Sequence, residues 1–489
     1  MSHKLSRYIR PLLIISITVT TMHYAYGRSS LAKNDGFPIF SSLDPHFFLY
    51  DHKRLEIKDP EFAQEKGSHF SLSISPFGQN ADRGRNVCGE KFLPDTDAEG
   101  QSTEDFPIEL SDLTGRINMI ALLYGALPQG QTLPPSLETA RTELFPGIPA
   151  DTPINDTTYI DPSERYASLS FPMKYRKRGV RFDIYANIIG GFGLNLQTGV
   201  ANICQTCTEH VKDLTCEARD VCPFKVPFEI QSDGTIVDDA FTTNVKKLLT
   251  GNIKNIAHEL NIDINGFNET SIELVNLNLY WRHAYELNRN KKRWPHFLLM
   301  PFVELQGSIS PGKKRNPCKL FSLPFGNDQH HAVGFRTGLS FDFIDTIEIA
   351  AEVGALHFFE RTISCMHIPN SKFQKTLFPF TADAKVQPGY NWHFAAKIAA
   401  YHFLDNLSTF FEYVMVAHTR DTITLINCDA AFKPKVLEKV SLWKTKVANI
   451  GFNYDISPNI ALGFLWQAPL SQKNSYRSTT ILFSFNATF

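Results

Sequence analysis

Three sets of side chains in this sequence could do chemistry. The first is a group of thiols, Cys204-x-x-Cys207 with Cys216 and Cys222, which could supply four thiolates to zinc or pair as disulfides. The second is imidazole. His330-His331 is either a metal-ligating pair or two solvated rings, and His357 could serve a lipid-cleaving site only with a serine beside it, for which no convincing partner stands nearby. The third is ten charged residues on the polar sides of alternating stretches: Arg181, Asp183, Arg282, Glu304, Arg336, Asp342, Glu348, Glu352, Lys397 and Glu412. The sequence has no His-Glu-x-x-His, no Gly-x-Ser-x-Gly and no glycine-rich phosphate loop. It therefore assigns no catalytic residue, no metal and no cofactor, and the chain reads as a non-enzyme.

The third set needs strands to position it. Successive residues of a strand point to opposite faces, and the sequence repeats that period of two many times. Phe70, Leu72, Ile74 and Pro76 alternate with serines, and Ala167, Leu169, Phe171, Met173 and Tyr175 form the next apolar face. After a basic run, Arg176-Lys-Arg-Gly179, read as a tight turn, a long strand is predicted from Val180 to Gln197, with Arg181 and Asp183 opposite Val180, Phe182 and Ile184. Further strands are predicted at 275–285, 297–309, 333–343, 347–355, 392–404, 407–417, 440–454 and 460–468, then at 476–489. That makes twelve. Lys444 and Lys446 interrupt the apolar face of the 440–454 strand and predict a bulge.

Connections between these strands alternate in length. Short ones are expected near 176–179, 287–293, 344–345, 405–406 and 455–459, and long ones at 78–164, 199–271, 311–330, 363–389 and 421–437. Ile108 to Leu127, with Leu113, Ile117, Ile120 and Leu123, carries helical spacing. So does Asp239 to Leu260, with Phe241, Val245, Leu248, Leu249, Ile253 and Ile256. All eight cysteines, Cys88, Cys204, Cys207, Cys216, Cys222, Cys318, Cys365 and Cys428, fall in the long connections. In an exported chain an even number of cysteines reads as disulfide staples.

At the start, Lys4, Arg7 and Arg10 precede a short apolar core, Leu12 to Val19, and then Ala25-Tyr26-Gly27. Residues 1–27 thus read as a secretory signal peptide. No cysteine follows closely, so a lipid anchor is not expected. Residues 28–66 read as a periplasmic segment and 67–489 as one barrel with large insertions at 78–164 and 199–271. Beyond the N-terminus no run is long and apolar enough for a spanning helix. The near-zero net charge, −1, shows no nucleic-acid footprint, and 39 Phe suit lipid-facing surfaces.

In the last strand, Ile481, Phe483, Phe485, Ala487 and the terminal Phe489 share one face. This stretch resembles the closing strand of Gram-negative outer-membrane β-barrel proteins. The usual aromatic three places from the end is replaced by Ala487. The resemblance implies an all-β transmembrane antiparallel barrel of twelve to fourteen strands with long extracellular loops. It also implies an outer-membrane location, and Phe483, Phe485 and Phe489 as a signal to the barrel-assembly machinery and its periplasmic chaperones. The ten charged residues would then line a lumen, because a basic side chain facing lipid at midplane costs about 2–4 kcal/mol. Two functions follow: a porin-like channel for small hydrophilic solutes, or a structural or adhesive surface protein acting through its loops. A soluble β-protein would have to bury the same aromatic faces between sheets.

Overall fold

The computed structural model describes residues 70–81, 84–85, 116–148, 152, 154, 168–170, 173–188, 191–207, 212–213, 240–283, 285–286, 297–343, 347–374, 377–404, 406–457 and 459–489. The proposed signal peptide and periplasmic segment lie outside them, as do Cys88, Cys216 and Cys222. Twelve antiparallel strands close into a barrel. They are β1 (Phe70–Ala81), β2 (Met173–Asn187), β3 (Phe192–Cys207), β4 (Val275–Arg282), β5 (Leu298–Ile309), β6 (Ala332–Phe343), β7 (Ile347–Phe358), β8 (Asn391–Leu404), β9 (Leu407–His418), β10 (Trp443–Ser457), β11 (Ile460–Lys473) and β12 (Thr479–Thr488). Each pairs with its chain neighbours, and β12 pairs with β1, which leaves no open edge. The closure ends on the last residue: the Phe489 amide donates to the Phe70 carbonyl at 2.9 Å.

The outward faces are apolar. Val180, Phe182 and Ile184 on β2, Val303 and Leu305 on β5, and Ile450 and Phe452 on β10 belong to one continuous belt. The inward faces are polar and buried. An apolar outside on a closed sheet, in which each strand pairs with both neighbours, is a structure that crosses a bilayer. Among the described residues no helix is long and apolar enough to do so.

One hairpin departs from expectation. The basic run Arg176-Lys-Arg-Gly179 is not a turn; it lies inside β2, and the reversal comes at residues 188–191. Asn187 pairs with Gly193 and Ala186 with Leu194. Odd residues thus pair with odd and even with even, so the alternation runs through the hairpin in phase and hides it. Gly191 makes the turn at φ +88°, a conformation open to glycine. Of the strand expected at 167–175, only Met173 to Tyr175 belongs to β2, while Ser168–Ser170 is a separate short strand paired with Arg116–Asn118; because the expected 180–197 strand divides into two, the total is unchanged. Tyr175 consequently points inward and is fully buried. The bulge expected at Lys444 and Lys446 is present between Lys446 and Val447. The 440–454 strand begins later than expected, because Pro434–Ser441 is a helix.

At the end opposite Phe70 and Phe489, the long connections fold together into a cap. It contains α1 (Pro135–Leu144), α2 (Ala240–Val245) continued by a π-helical turn (Lys246–Thr250), α3 (Ile253–Glu259) and α4 (Pro434–Ser441). A small sheet of Arg361–Ile368, Phe380–Gln387 and Thr422–Leu425 joins them. The helix expected over 108–127 is not found in its described part: Arg116–Asn118 is a short strand and Ile120–Leu123 a 3-10 turn. Leu122, Leu137, Leu249, Ile256, Phe380 and Leu437 share one core with Tyr175, Ile203 and Tyr476 of the barrel's mouth.

Three of the five described cysteines do not lie in the loops where they were expected. Cys204 and Cys207 lie on β3 and not in a loop. Cys365 lies on a cap strand, at a register shift, with φ +52°. Cys204, Cys318, Cys365 and Cys428 carry free thiols. Among the described residues no cluster of His, Cys, Asp and Glu could hold a metal ion.

Candidate functional site: the barrel interior

The ten charged residues expected on the inner face are there, each on the strand that sequence alternation assigned. All but Glu352 are almost fully buried. Their pairing is what only the fold supplies. Register places Glu304 of β5 opposite Arg336 of β6, and the guanidinium donates to the carboxylate at 2.6 Å. Arg336 also reaches Glu352 at 3.5 Å and lies over the Phe302 ring. His393, which sequence reasoning missed, stands 3.6 Å from Glu352. It fits because Gly354 beside it has no side chain: a Cβ there would lie 2.2 Å from the imidazole.

A second group centres on Glu348. Its carboxylate takes an ion pair from Lys397 at 3.0 Å, a hydrogen bond from the Ser340 hydroxyl at 2.6 Å and another from the Tyr401 hydroxyl. Lys397 faces Glu412 across β8 and β9, and Glu412 accepts a bond from the Asn449 amide at 2.8 Å. From Asn449 an amide chain continues through Gln467, Thr480 and Gln79 to Tyr175. Arg181 and Asp183 form a third pair at 2.7 Å on β2. They border a cavity of about 50 Å³ with Ser73, Tyr185, Ser484 and Asn486, room for a water molecule or two. Arg282 packs over Tyr280 and Phe302, and Asp342 faces inward opposite Glu348.

Lys177 is the other residue sequence reasoning missed. Placed inside β2, it turns inward and pairs at 2.7 Å with the buried Glu273. The signal was available: Lys177 shares the odd-numbered phase of Arg181 and Asp183.

On β8 and β9 the charged row of Lys397 and Glu412 lies between two apolar clusters. Toward the cap, Ala395, Val414, Val416, Trp443 and Val447 pack together. Toward Phe70 and Phe489, Leu298, Met300, Ala399, Tyr401 and Phe410 do so. Inward residues on every strand are buried, so side chains fill the bore in this conformation, in a barrel of intermediate size.

The two histidine sites resolve differently. His330 is buried and uses Nδ1 on the Phe359 carbonyl at 2.9 Å, so it is not the solvated ring expected; His331 is exposed. His357 sits outward between Phe359 and Tyr390, as an interfacial histidine would.

No protein-family model matches the sequence, and no curated protein matches it. Solved structures do. An outer-membrane channel from Pseudomonas putida F1 aligns over 86% of this chain and 96% of its own, at 7% identity and TM-score 0.43. The NanC porin aligns over 64% and 93%, at 7% identity and TM-score 0.29. The transport unit of the autotransporter AIDA-I from Escherichia coli aligns over 90% and 97%, at 8% identity and TM-score 0.30. The chain's own closed twelve-stranded barrel is of the outer-membrane type.

Proposed function

We propose that this protein is an outer-membrane channel for small hydrophilic solutes, described here in a closed conformation. Residues 1–27 would export it, and the terminal strand with Phe483, Phe485 and Phe489 outward would present it to the assembly machinery. The observation that carries the reading is the charged interior. Buried ion pairs are rarely worth more than apolar packing of the same volume, and on β8 and β9 this barrel packs apolar clusters directly above and below the charges. A barrel needed only as an anchor would be served by continuing them. Charges of both signs around the bore instead suit a hydrated path once the flanking clusters part, with Arg181, Arg336, Lys397, Glu304, Glu348 and Glu412 lining it.

The cap favours a second reading, a surface module, because its segments build a substantial core over the barrel's mouth. Conductance across a planar bilayer separates the two. Refolded full-length protein should give discrete steps that grow with salt, and reversing Arg336 or Glu352 should shift ion selectivity. Silence from protein shown to be inserted, over a range of voltages, sinks the channel and leaves the cap.

A further inference from the structure

Two features that look anomalous in the sequence meet on one surface. The run Lys174 to Arg178 lies in β2, where Lys174, Arg176 and Arg178 alternate outward and exposed. Lys444 and Lys446 are outward on β10. Each set begins one outward step above the apolar belt: Arg178 follows Val180, and Lys446 follows Ala448. The belt thus fixes both at the same level, that of the lipid headgroups on the cap side. A basic side chain facing lipid at midplane would be costly, whereas at the interface it costs little.

The strands between complete a single patch. In order around the barrel they are β10, β11, β12, β1 and β2. Lys473 of β11 lies directly opposite Lys444, and the exposed Arg477 precedes β12. The outward positions of β1 and β12 there are Gly78, Asn80 and Thr479. A Cβ built on Gly78 meets nothing within 4 Å, so the middle of the patch is a low polar floor with cations on both sides. Five strands at about 4.8 Å spacing make it ~19 Å wide. Among the described residues, no acidic side chain shares these outward positions.

We infer that this outward basic rim, Arg176 and Arg178 on one flank and Lys444 and Lys446 on the other, binds the phosphates of a phosphorylated glycolipid of the outer leaflet. Three features select a lipid over a soluble anion: the rim faces outward, it adjoins the acyl-chain belt, and its polar floor could seat a sugar. The inference needs the barrel to lie in that membrane but does not need the pore to open, so a failed conductance test leaves it standing.

The test uses full-length refolded protein in mixed micelles with bisphosphorylated lipid A, or the same glycolipid stripped of phosphate, and native mass spectrometry to measure retained lipid. Retention of the phosphorylated form only is expected. Each cation near an anionic surface contributes about fivefold, so the fourfold variant R176Q/R178Q/K444Q/K446Q should bind at least tenfold more weakly. K444R/K446R should bind normally, as should K313Q/K319Q, whose lysines pair with Glu269 outside the rim. If the fourfold variant does not refold, R176Q/R178Q and K444Q/K446Q are measured separately, each expected to lose several-fold. Equal retention of the stripped lipid, or unchanged retention by a folded glutamine variant, overturns the inference. Displacement of the lipid by equimolar inorganic phosphate overturns the choice of a lipid as ligand.

Discussion

Replacing Arg336 with methionine tests whether the charged interior is dry. The guanidinium is 1% exposed and Glu304 fully buried, 2.6 Å apart. Glu352 lies 3.5 Å away on the other side. Methionine roughly fills the space of the side chain but leaves Glu304 without its cation. Removing one partner of a buried pair costs about 3–5 kcal/mol, because the other charge remains uncompensated. Glu304→Gln should cost less, since Arg336 retains Glu352. In the double variant the unpaired charge is gone, so the loss should be well below the sum of the single losses, with a coupling of about 2–3 kcal/mol. Urea unfolding from lipid vesicles, followed by tryptophan fluorescence with linear extrapolation, measures each value. If both single variants lose under about 1 kcal/mol and show no coupling, the pair behaves as a water-exposed one. The argument for a filled, closed bore then fails, and an open lumen in the resting state replaces it.

Acid should loosen the cap before the barrel. His330 and His367 are buried there, and burial pushes both imidazoles below their usual range. A lowered folded pKa means that the unfolded segment binds more protons. The stability these rings allow is therefore complete above about pH 6.5 and falls as pH drops through that value. Limited trypsin digestion at about pH 7.5 and about pH 5 should show new cleavage in the cap at the lower pH with the barrel intact. His367→Gln should flatten that difference, and a cap equally resistant at both values contradicts the reasoning. At the β2–β3 turn, Gly191→Ala must hold φ +88° and place a Cβ 1.9 Å from the Arg282 carbonyl. It should lower the unfolding free energy by at least about 2 kcal/mol or prevent refolding, and a wild-type urea midpoint would refute the turn.

Much of the barrel was legible because lipid imposes a strict rule. Outward residues must be apolar, so each strand shows its period of two, and the faces of Arg181, Glu304 and Glu412 could be read without coordinates. The β2–β3 turn was not legible for the same reason. Its register keeps the alternation in phase, and that unbroken phase outweighed the turn signal of the Gly190-Gly191 dipeptide. Lys177 was lost with it, since a residue thought to lie in a turn has no inner face. The cap was unreadable for a different reason. Its core draws on segments around Leu122, Leu137, Leu249, Phe380 and Leu437, each too short to show a period and meaningful only together.

Which charges meet was beyond the sequence, because pairing depends on register. A shift of one residue would turn Arg336 toward lipid; a shift of two would set it opposite another inward residue in place of Glu304. The β5–β6 and β6–β7 ladders fix that choice. The same dependence bears on how the barrel could open. Arg336 is held from both sides, by Glu304 on β5 and Glu352 on β7, so the ion pairs lock three neighbouring strands to one another. Strand sliding would break main-chain bonds along the whole ladder, whereas rotating Trp443, Met300 or Phe410 in the two apolar clusters breaks none. Opening by side-chain movement in those clusters is the lower-energy route, and it leaves the ion pairs in place as the wall of the path.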